Sequence, residues 1–134
     1  ESIETTRQLA SIVAQLFPQN RRSKGLARIG QALRIAVNSE LDNLRQGLAS
    51  LTGSLKSGGR MVVLSYHSLE DRIVKNFIRS HSRESGLPPE LEEVLDRRDF
   101  RLKNLTSKAM TASREELEVN KRARSARLRA AAKV

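Results

Sequence analysis

Residues 61–64, Met-Val-Val-Leu, constrain the fold of this 134-residue chain more than any other feature. Four apolar residues without alternation are typical of a β-strand that is covered on both faces. A Ser57-Gly58-Gly59 turn precedes them and a helical apolar pattern follows. Helix, turn, buried strand and helix in this order predict an α/β fold. Because a single strand cannot pair its own backbone, its partners come either from the weak segments after Phe100 or from polypeptide outside this sequence.

Apolar spacing also predicts the elements before this strand. Residues 5–17 place their apolar side chains on one helical stripe, and Pro18 ends that helix. Residues 19–28 are basic and almost free of apolar anchors, which predicts a loop. From Ile29 to Leu55, apolar residues recur every three or four positions and predict one long helix.

Charge and cysteine content limit the function classes. The chain has 25 Lys and Arg against 15 Asp and Glu, a formal charge of +10, which favours a polyanionic partner such as RNA, DNA or anionic lipid. It has no Cys and only two His, so disulfides, thiol nucleophiles and thiolate metal sites are excluded, and we expect no metal. No apolar run approaches the roughly 18 residues of a membrane helix. We therefore expect a soluble, intracellular protein without a membrane partner.

Polar residues cluster where the predicted strand meets the next helix, the edge at which open α/β sheets bind ligands. Ser65, Tyr66, His67 and Glu70 are candidates for a cleft there, with His67 as a base or a hydrogen-bond donor. The alternative is structural: Ser68 and Asp71 cap the helix and His67 is an ordinary loop residue. Ser113 and Glu116 repeat the capping pattern further along the chain.

The C-terminal part of the chain is strongly basic. Residues 91–95 suggest a short helix, and residues 100–112 an irregular or weakly stranded stretch. Residues 121–134 contain no acid, so their cations should contact an anion or line a substrate cleft. The candidate RNA-binding residues in this tail are Arg122, Arg124, Arg127 and Arg129.

Two sets of polar residues nearer the N-terminus have open interpretations. Arg34 and Asn38 share a helix face beside the apolar stripe and either line a cleft or form an exposed polar face. The predicted basic loop is either a solvated segment or a contact for RNA phosphates, which require charge without exact geometry. Its cations are Arg21, Arg22, Lys24 and Arg28.

Four strings in order resemble one enzyme family over most of the chain. They are QALRIAVNSEL at 31–41, GGR at 58–60, SYHSLEDR at 65–72 and NKRARSARLR at 120–129. The chain resembles the S-adenosylmethionine-dependent small-subunit (16S) rRNA cytosine-N4 methyltransferases of the MraW type. The resemblance implies a Rossmann-like methyltransferase sheet with a helical substrate domain inserted in it. Residues 1–30 would then be the end of that insert, and residues 31–134 the C-terminal half of the sheet domain.

The resemblance also implies an activity and its partners. The enzyme transfers a methyl group from S-adenosylmethionine to the N4 amine of a cytidine in small-subunit rRNA, in the bacterial cytoplasm or an organelle. The Gly-rich cofactor loop of the family has no counterpart in this chain, so we expect no cofactor-binding residue here and an inactive isolated chain. The family has a stretch similar to His-Pro-Ala-Thr-Arg before Gln31, which implies a shortened loop near Gly30.

Two consequences of an incomplete domain are expected. The isolated chain either self-associates as a homodimer or requires the N-terminal half of the enzyme, because its apolar surface exceeds what its short segments cover. The alternative to an enzyme is a non-catalytic basic RNA-binding or dimerising fragment, favoured by the charge and by the missing cofactor loop.

Overall fold

The computed structural model describes residues 2–82 and 101–134. The chain divides into two compact units, Glu1–Glu40 and Leu41–Val134. The division after residue 30, which the family resemblance implies, stays a prediction. The helix expected at 91–95 lies outside the described residues.

The first unit is helical. Helix α1 spans Thr6–Leu16 and begins with a capping box, in which the Thr5 side chain accepts from the Gln8 backbone N–H and the Gln8 side chain accepts in return from the Thr5 N–H. It ends just before Pro18, as predicted. A single 3₁₀ turn at Gln19–Arg21 then leads into helix α2, Arg22–Val37.

Two sequence predictions in this region are wrong. The basic loop expected at 19–28 is largely helix, because Arg, Lys, Leu and Ala are good helix formers even without an apolar stripe. Helix α2 runs without a break through Gly30 into Gln31, so the family stretch that is missing before Gln31 leaves no gap in the helix. The single long helix is broken at Asn38 and Ser39, where Ser39 has a φ of 49°. That left-handed conformation interrupts a helix, and α3 begins anew at Glu40–Ser54.

The second unit contains a three-stranded sheet. Strands β1 (Arg60–Ser65), β2 (Leu102–Asn104) and β3 (Arg127–Lys133) pair in the order β1-β3-β2, and both pairs are antiparallel. The strands that join β1 in this sheet therefore come from the segments after Phe100, the first of the two alternatives that the sequence left open. The Ala130–Ala132 stretch is strand despite its helical preference, because β3 is hydrogen-bonded on both edges.

Helices α3 and α4 pack on one face of the sheet in this unit. Helix α4 spans Ser68–Ser80, and a short helix α5 at Arg114–Val119 is followed by a 3₁₀ segment, Lys121–Ser125. The core joins α3, α4 and all three strands; its buried members are Leu48, Met61, Val74, Ile78, Leu102 and Ala131. At this level the predicted mixture of helix and sheet is confirmed.

The other face of β1 is open in the described part of the chain. Val62 and Leu64 are 61% and 50% exposed, whereas Met61 and Ser65, which point to the helices, are buried. The expectation that both faces of this strand are covered is therefore wrong for residues 2–82 and 101–134. No helix within these residues is long and apolar enough to cross a membrane.

Candidate functional site

The junction between β1 and α4 is built by a capping box. His67, not Ser68, is the N-cap residue, and its Nδ1 accepts from the backbone N–H of Glu70 at 3.3 Å. The Glu70 carboxylate accepts in return from the N–H groups of Tyr66 (2.9 Å) and His67 (3.3 Å). The prediction that Ser68 caps this helix is wrong because Ser68 is already inside its first turn.

The same contacts determine the tautomer of His67. Because Nδ1 accepts a hydrogen bond, the neutral ring carries its proton on Nε2. Nε2 is buried and lies 3.2 Å from the second carboxylate oxygen of Glu70, without hydrogen-bond geometry. Of the other predicted cleft residues, Ser65 is buried and Tyr66 is exposed. The geometry shows a rigid turn, and a catalytic role for these four residues stays a prediction.

Asp71 joins the first turn of α4 to the central strand. Its carboxylate accepts from Nε and Nη2 of Arg129 at 2.7 and 3.2 Å. The two side chains are 17% and 11% exposed. The hydrogen bonds from Arg129 hold the pKa of the Asp71 carboxyl below its ordinary value; burial opposes this, and the charges of Arg129, Arg127 and Lys75 add to it. Asp71, predicted as a helix cap, is instead an ion-pair partner, because His67 and Glu70 make the capping bonds of α4.

A cationic groove of about 550 Å³ opens beside this ion pair. Its walls come from α4, from the loop after β2 and from the start of β3. Five cations and no acid are among its lining residues, which are Lys75, Ile78, Arg79, Ser82, Asn104, Ser107, Lys108, Ala109, Arg127 and Arg129. We refer to this feature as the sheet groove.

Regular structure positions the walls of the sheet groove. Lys75, Ile78 and Arg79 stand at i, i+3 and i+4 on α4 and therefore share one helix face, and Ser82 follows just after the helix ends. Arg127 and Arg129 alternate along β3 and point to the same face of the sheet. Backbone bonds hold the intervening loop to β3: Leu105 N–H donates to Ala130 O, and Met110 and Leu128 exchange two bonds, all at 2.9 Å.

The charges in the sheet groove are largely uncompensated. Lys75, Arg79, Lys108 and Arg127 are exposed and make no side-chain hydrogen bond or ion pair in the described part of the chain. Only Arg129 is paired, with Asp71 behind the wall. Four unpaired cations around a concavity suit a polyanion, because Arg binds phosphate oxygens in a fork and Lys acts as a mobile point charge.

Only part of this site is predicted by the sequence. Arg127 and Arg129 are among the predicted residues, whereas Lys75, Arg79 and Lys108 are not. The α4 cations follow the SYHSLEDR string at helical spacing, a signal that locates Lys75 and Arg79 on one face. Nothing local points to Lys108, which the pairing of its loop with β3 brings to the groove.

The remaining predicted residues lie elsewhere. Arg122 and Arg124 are exposed in the 3₁₀ segment and do not line the sheet groove. Arg34 belongs to the helical unit, where it pairs with Glu40 at 2.8 Å, and the Asn38 amide donates to the same carboxylate at 3.4 Å. Ser113 is the N-cap of α5 and accepts from the Glu116 N–H at 3.2 Å, which confirms its capping role.

A mixed helix and sheet unit with an acid-free cationic groove is compatible with the class of proteins that bind polyanions. Comparison with known proteins narrows this class, since the model of the MraW methylase family matches residues 1–134. The chain belongs to the MraW methylase family, and the resemblance inferred from its four strings is confirmed.

Curated relatives agree with this assignment. A protein named ribosomal RNA small subunit methyltransferase H from Syntrophotalea carbinolica is 48% identical over 133 residues, which cover 97% of this chain and 42% of the relative. Its namesake from Thermomicrobium roseum is 45% identical over 135 residues, 100% of this chain and 41% of the relative. The namesake from Caldicellulosiruptor bescii is 44% identical, with 98% and 43% covered. The chain thus spans about two fifths of the length of these relatives.

Proposed function

We propose that this chain is part of an rRNA methyltransferase that acts on the small ribosomal subunit and methylates the N4 amine of a cytidine. The family match over residues 1–134 and the names of the relatives support an rRNA methyltransferase. The sheet groove is the observation in the structure that carries the proposal. RNA is a polyanion, and four unpaired cations in one concavity supply the phosphate contacts that orient a strand without reading its sequence.

The cofactor is a separate question. S-adenosylmethionine is the methyl donor expected from the family, and it brings a positively charged sulfonium and a ribose diol. The sheet groove does not fit it, because five cations repel a sulfonium and no acid among the lining residues accepts from a ribose. We therefore assign the described residues to the RNA side of the reaction and place the cofactor on the remainder of the enzyme.

The open sheet supports an incomplete domain. Strand β1 is an edge strand in the described part of the chain, with Val62 and Leu64 exposed on the uncovered face. An apolar edge strand with one bare face is a site for pairing and covering by further structure. We infer that the N-terminal part of the enzyme continues the Rossmann-like sheet at β1 and covers this face, with residues 31–134 as the C-terminal half and residues 1–30 as the end of the helical insert.

The experiment is methyl transfer by the product of the complete reading frame. Radiolabelled S-adenosylmethionine is incubated with that protein and with unmethylated small ribosomal subunits, and the rRNA is digested to nucleosides for mass spectrometry. We expect N4-methylcytidine. Label in another nucleoside contradicts the N4 assignment, and RNA binding without any label supports the non-catalytic alternative instead.

Matched variants test the role of the sheet groove. The variant K75Q/R79Q/R127Q removes three unpaired cations that line the sheet groove. Each lost phosphate contact should reduce the log–log salt slope of RNA binding by about 0.7. The control K56Q/K103Q/R114Q removes the same charge from exposed positions outside the lining. An equal fall in slope for both variants would contradict a role for the groove.

A further inference from the structure

We propose that a second groove, in the helical unit, binds RNA phosphates at a contact of its own. It lies at the turn between α1 and α2 and has a volume of about 520 Å³, within the roughly 300 to 1,000 Å³ range of ligand sites. Its lining residues are Phe17, Pro18, Asn20, Arg21, Lys24, Gly25 and Arg28. We call it the helical groove. The identity of the ligand rests on the proposed function, whereas the site rests on a different set of residues.

The floor of the helical groove is rigid because Phe17 packs on a glycine. A Cβ built at Gly25 would lie 2.6 to 2.8 Å from three atoms of the Phe17 ring, closer than any side chain permits. Gly25 is buried for this reason. Arg22 Nε also donates to the Phe17 carbonyl oxygen at 3.3 Å. These contacts hold the turn against α2 and fix where Arg21 stands relative to the helix.

Three cations form the wall of the helical groove. Lys24 and Arg28 lie four residues apart on one face of α2, about one helical turn or 5.4 Å, and Arg21 precedes them as the N-cap residue of α2. All three side chains are exposed and make no hydrogen bond or ion pair within residues 2–82 and 101–134. A row of unpaired cations matches a row of phosphates.

The local sequence offers these cations no internal partner. Residues 5–39 contain no Asp or Glu at all. The cation of this unit that does find an acid, Arg34, pairs with Glu40 beyond that stretch. Long acid-free segments repel themselves and are stabilised by an external anion. The apolar surface of Phe17 and Pro18 beside the cations favours a nucleic acid over a simple anion, because riboses and bases supply apolar contacts next to each phosphate.

RNA binding by the full chain tests this site without reference to catalysis. The probe is a short fluorescein-labelled single-stranded RNA, and its dissociation constant is measured by anisotropy over a range of salt concentrations. The variant R21Q/K24Q/R28Q removes the wall. If all three contacts are lost, the log–log slope falls by about 2, which is about 100-fold weaker binding at 0.1 M salt.

Two controls separate the groove from net charge and from misfolding. The control variant R7Q/K56Q/K103Q has the same net charge as R21Q/K24Q/R28Q but changes exposed positions outside both grooves. Its log–log salt slope of RNA binding should therefore equal that of the parent. The conservative variant R21K/R28K retains the charges and should bind RNA within about threefold of the parent, because backbone phosphates require charge more than geometry. An equal loss in both triple variants, or no loss in R21Q/K24Q/R28Q, overturns the proposal.

Competition identifies the class of occupant. Polyglutamate of matched charge should displace the labelled RNA less well than unlabelled RNA does. The R21Q/K24Q/R28Q substitutions should weaken the binding of polyglutamate no more than they weaken the binding of RNA. Tighter binding of polyglutamate through these residues would mean an acidic protein partner and would overturn the proposal. Absence of methyl transfer by the complete enzyme, with the slope result intact, would refute the proposed activity and leave this site standing.

Discussion

The ion pair between Asp71 and Arg129 should contribute much more to stability than the exposed pair of Asp42 and Arg45. Both pairs are short, with closest N···O distances of 2.7 and 2.6 Å. Their environments differ: Asp71 and Arg129 are 17% and 11% exposed, whereas Asp42 and Arg45 are 72% and 57% exposed. The closest distances are thus nearly equal, whereas the pairs differ in burial and in the number of hydrogen bonds, two for Arg129 and one for Arg45.

The expected magnitudes follow from the geometry. Arg129 makes two hydrogen bonds to a carboxylate that is largely withdrawn from water, and hydrogen bonds to charged groups contribute about 1.5 to 3 kcal/mol in proteins. We expect a coupling energy of about 2 kcal/mol for this pair. The exposed pair, three residues apart on α3, should give about 0.3 kcal/mol because water screens it.

Double-mutant cycles measure the two couplings. The variants D71N, R129Q and D71N/R129Q form one cycle, and D42N, R45Q and D42N/R45Q form the other. Free energies of unfolding come from urea titrations followed by circular dichroism, with unchanged m values as the check that the transition is the same. Coupling energies that are equal within error for the two pairs would refute the argument from burial.

Three further predictions concern single positions. The stability that Asp71 contributes is present above its unfolded pKa near 3.9 and is lost as the pH falls through its lowered folded pKa. In urea titrations, the unfolding free energies of the parent and D71N should therefore differ at neutral pH and converge in acid. Gly25→Ala should lower the unfolding free energy by about 1 to 3 kcal/mol, because the new methyl group overlaps Phe17. Gly30→Ala has open space around it and should raise the unfolding free energy by up to about 1 kcal/mol. A change of the same sign for both variants would contradict the packing argument. His67→Ala should cost about 1 kcal/mol through loss of the α4 cap, and His67→Asn should recover most of it in thermal melts; equal losses in both would argue against the cap.

Local signals account for the parts of the fold that the sequence predicted. Pro18 ends α1 because its ring forces the preceding residue, Phe17, into an extended conformation, and Ser113 caps α5 through a contact three residues away. Predictions failed where the deciding contact was less local. The segment after Pro18 has almost no apolar residues, which predicts a loop. It is helical, and it packs through Gly25 against the Phe17 ring, a contact that apolar spacing does not reveal.

The sheet groove shows a second limit of sequence reasoning. It combines residues near 75–79, 104–109 and 127–129, and no periodicity within one segment connects them. The expectation that the cations of the basic tail contact an anion or line a substrate cleft stays a prediction. Which of its cations line the groove depends on strand pairing, which turns Arg127 and Arg129 toward α4 and leaves Arg122 and Arg124 in the preceding 3₁₀ segment.

The register of β3 couples the fold to the sheet groove. Every second residue of β3, from Arg127 to Lys133, lies on one face of the sheet. On β1 their partners are Ser65 for Arg127, Val63 for Arg129 and Met61 for Ala131, and Lys133 pairs with Gly59 just before β1. On that face the arginines line the groove, Ala131 is fully buried in the core, and the Lys133 ammonium donates to the last carbonyls of α3 at 3.1 Å. A shift by one residue would send Leu128 and Ala130 to the groove and place charges in the open apolar face. The pairing that buries Ala131 therefore also positions the two arginines that line the sheet groove.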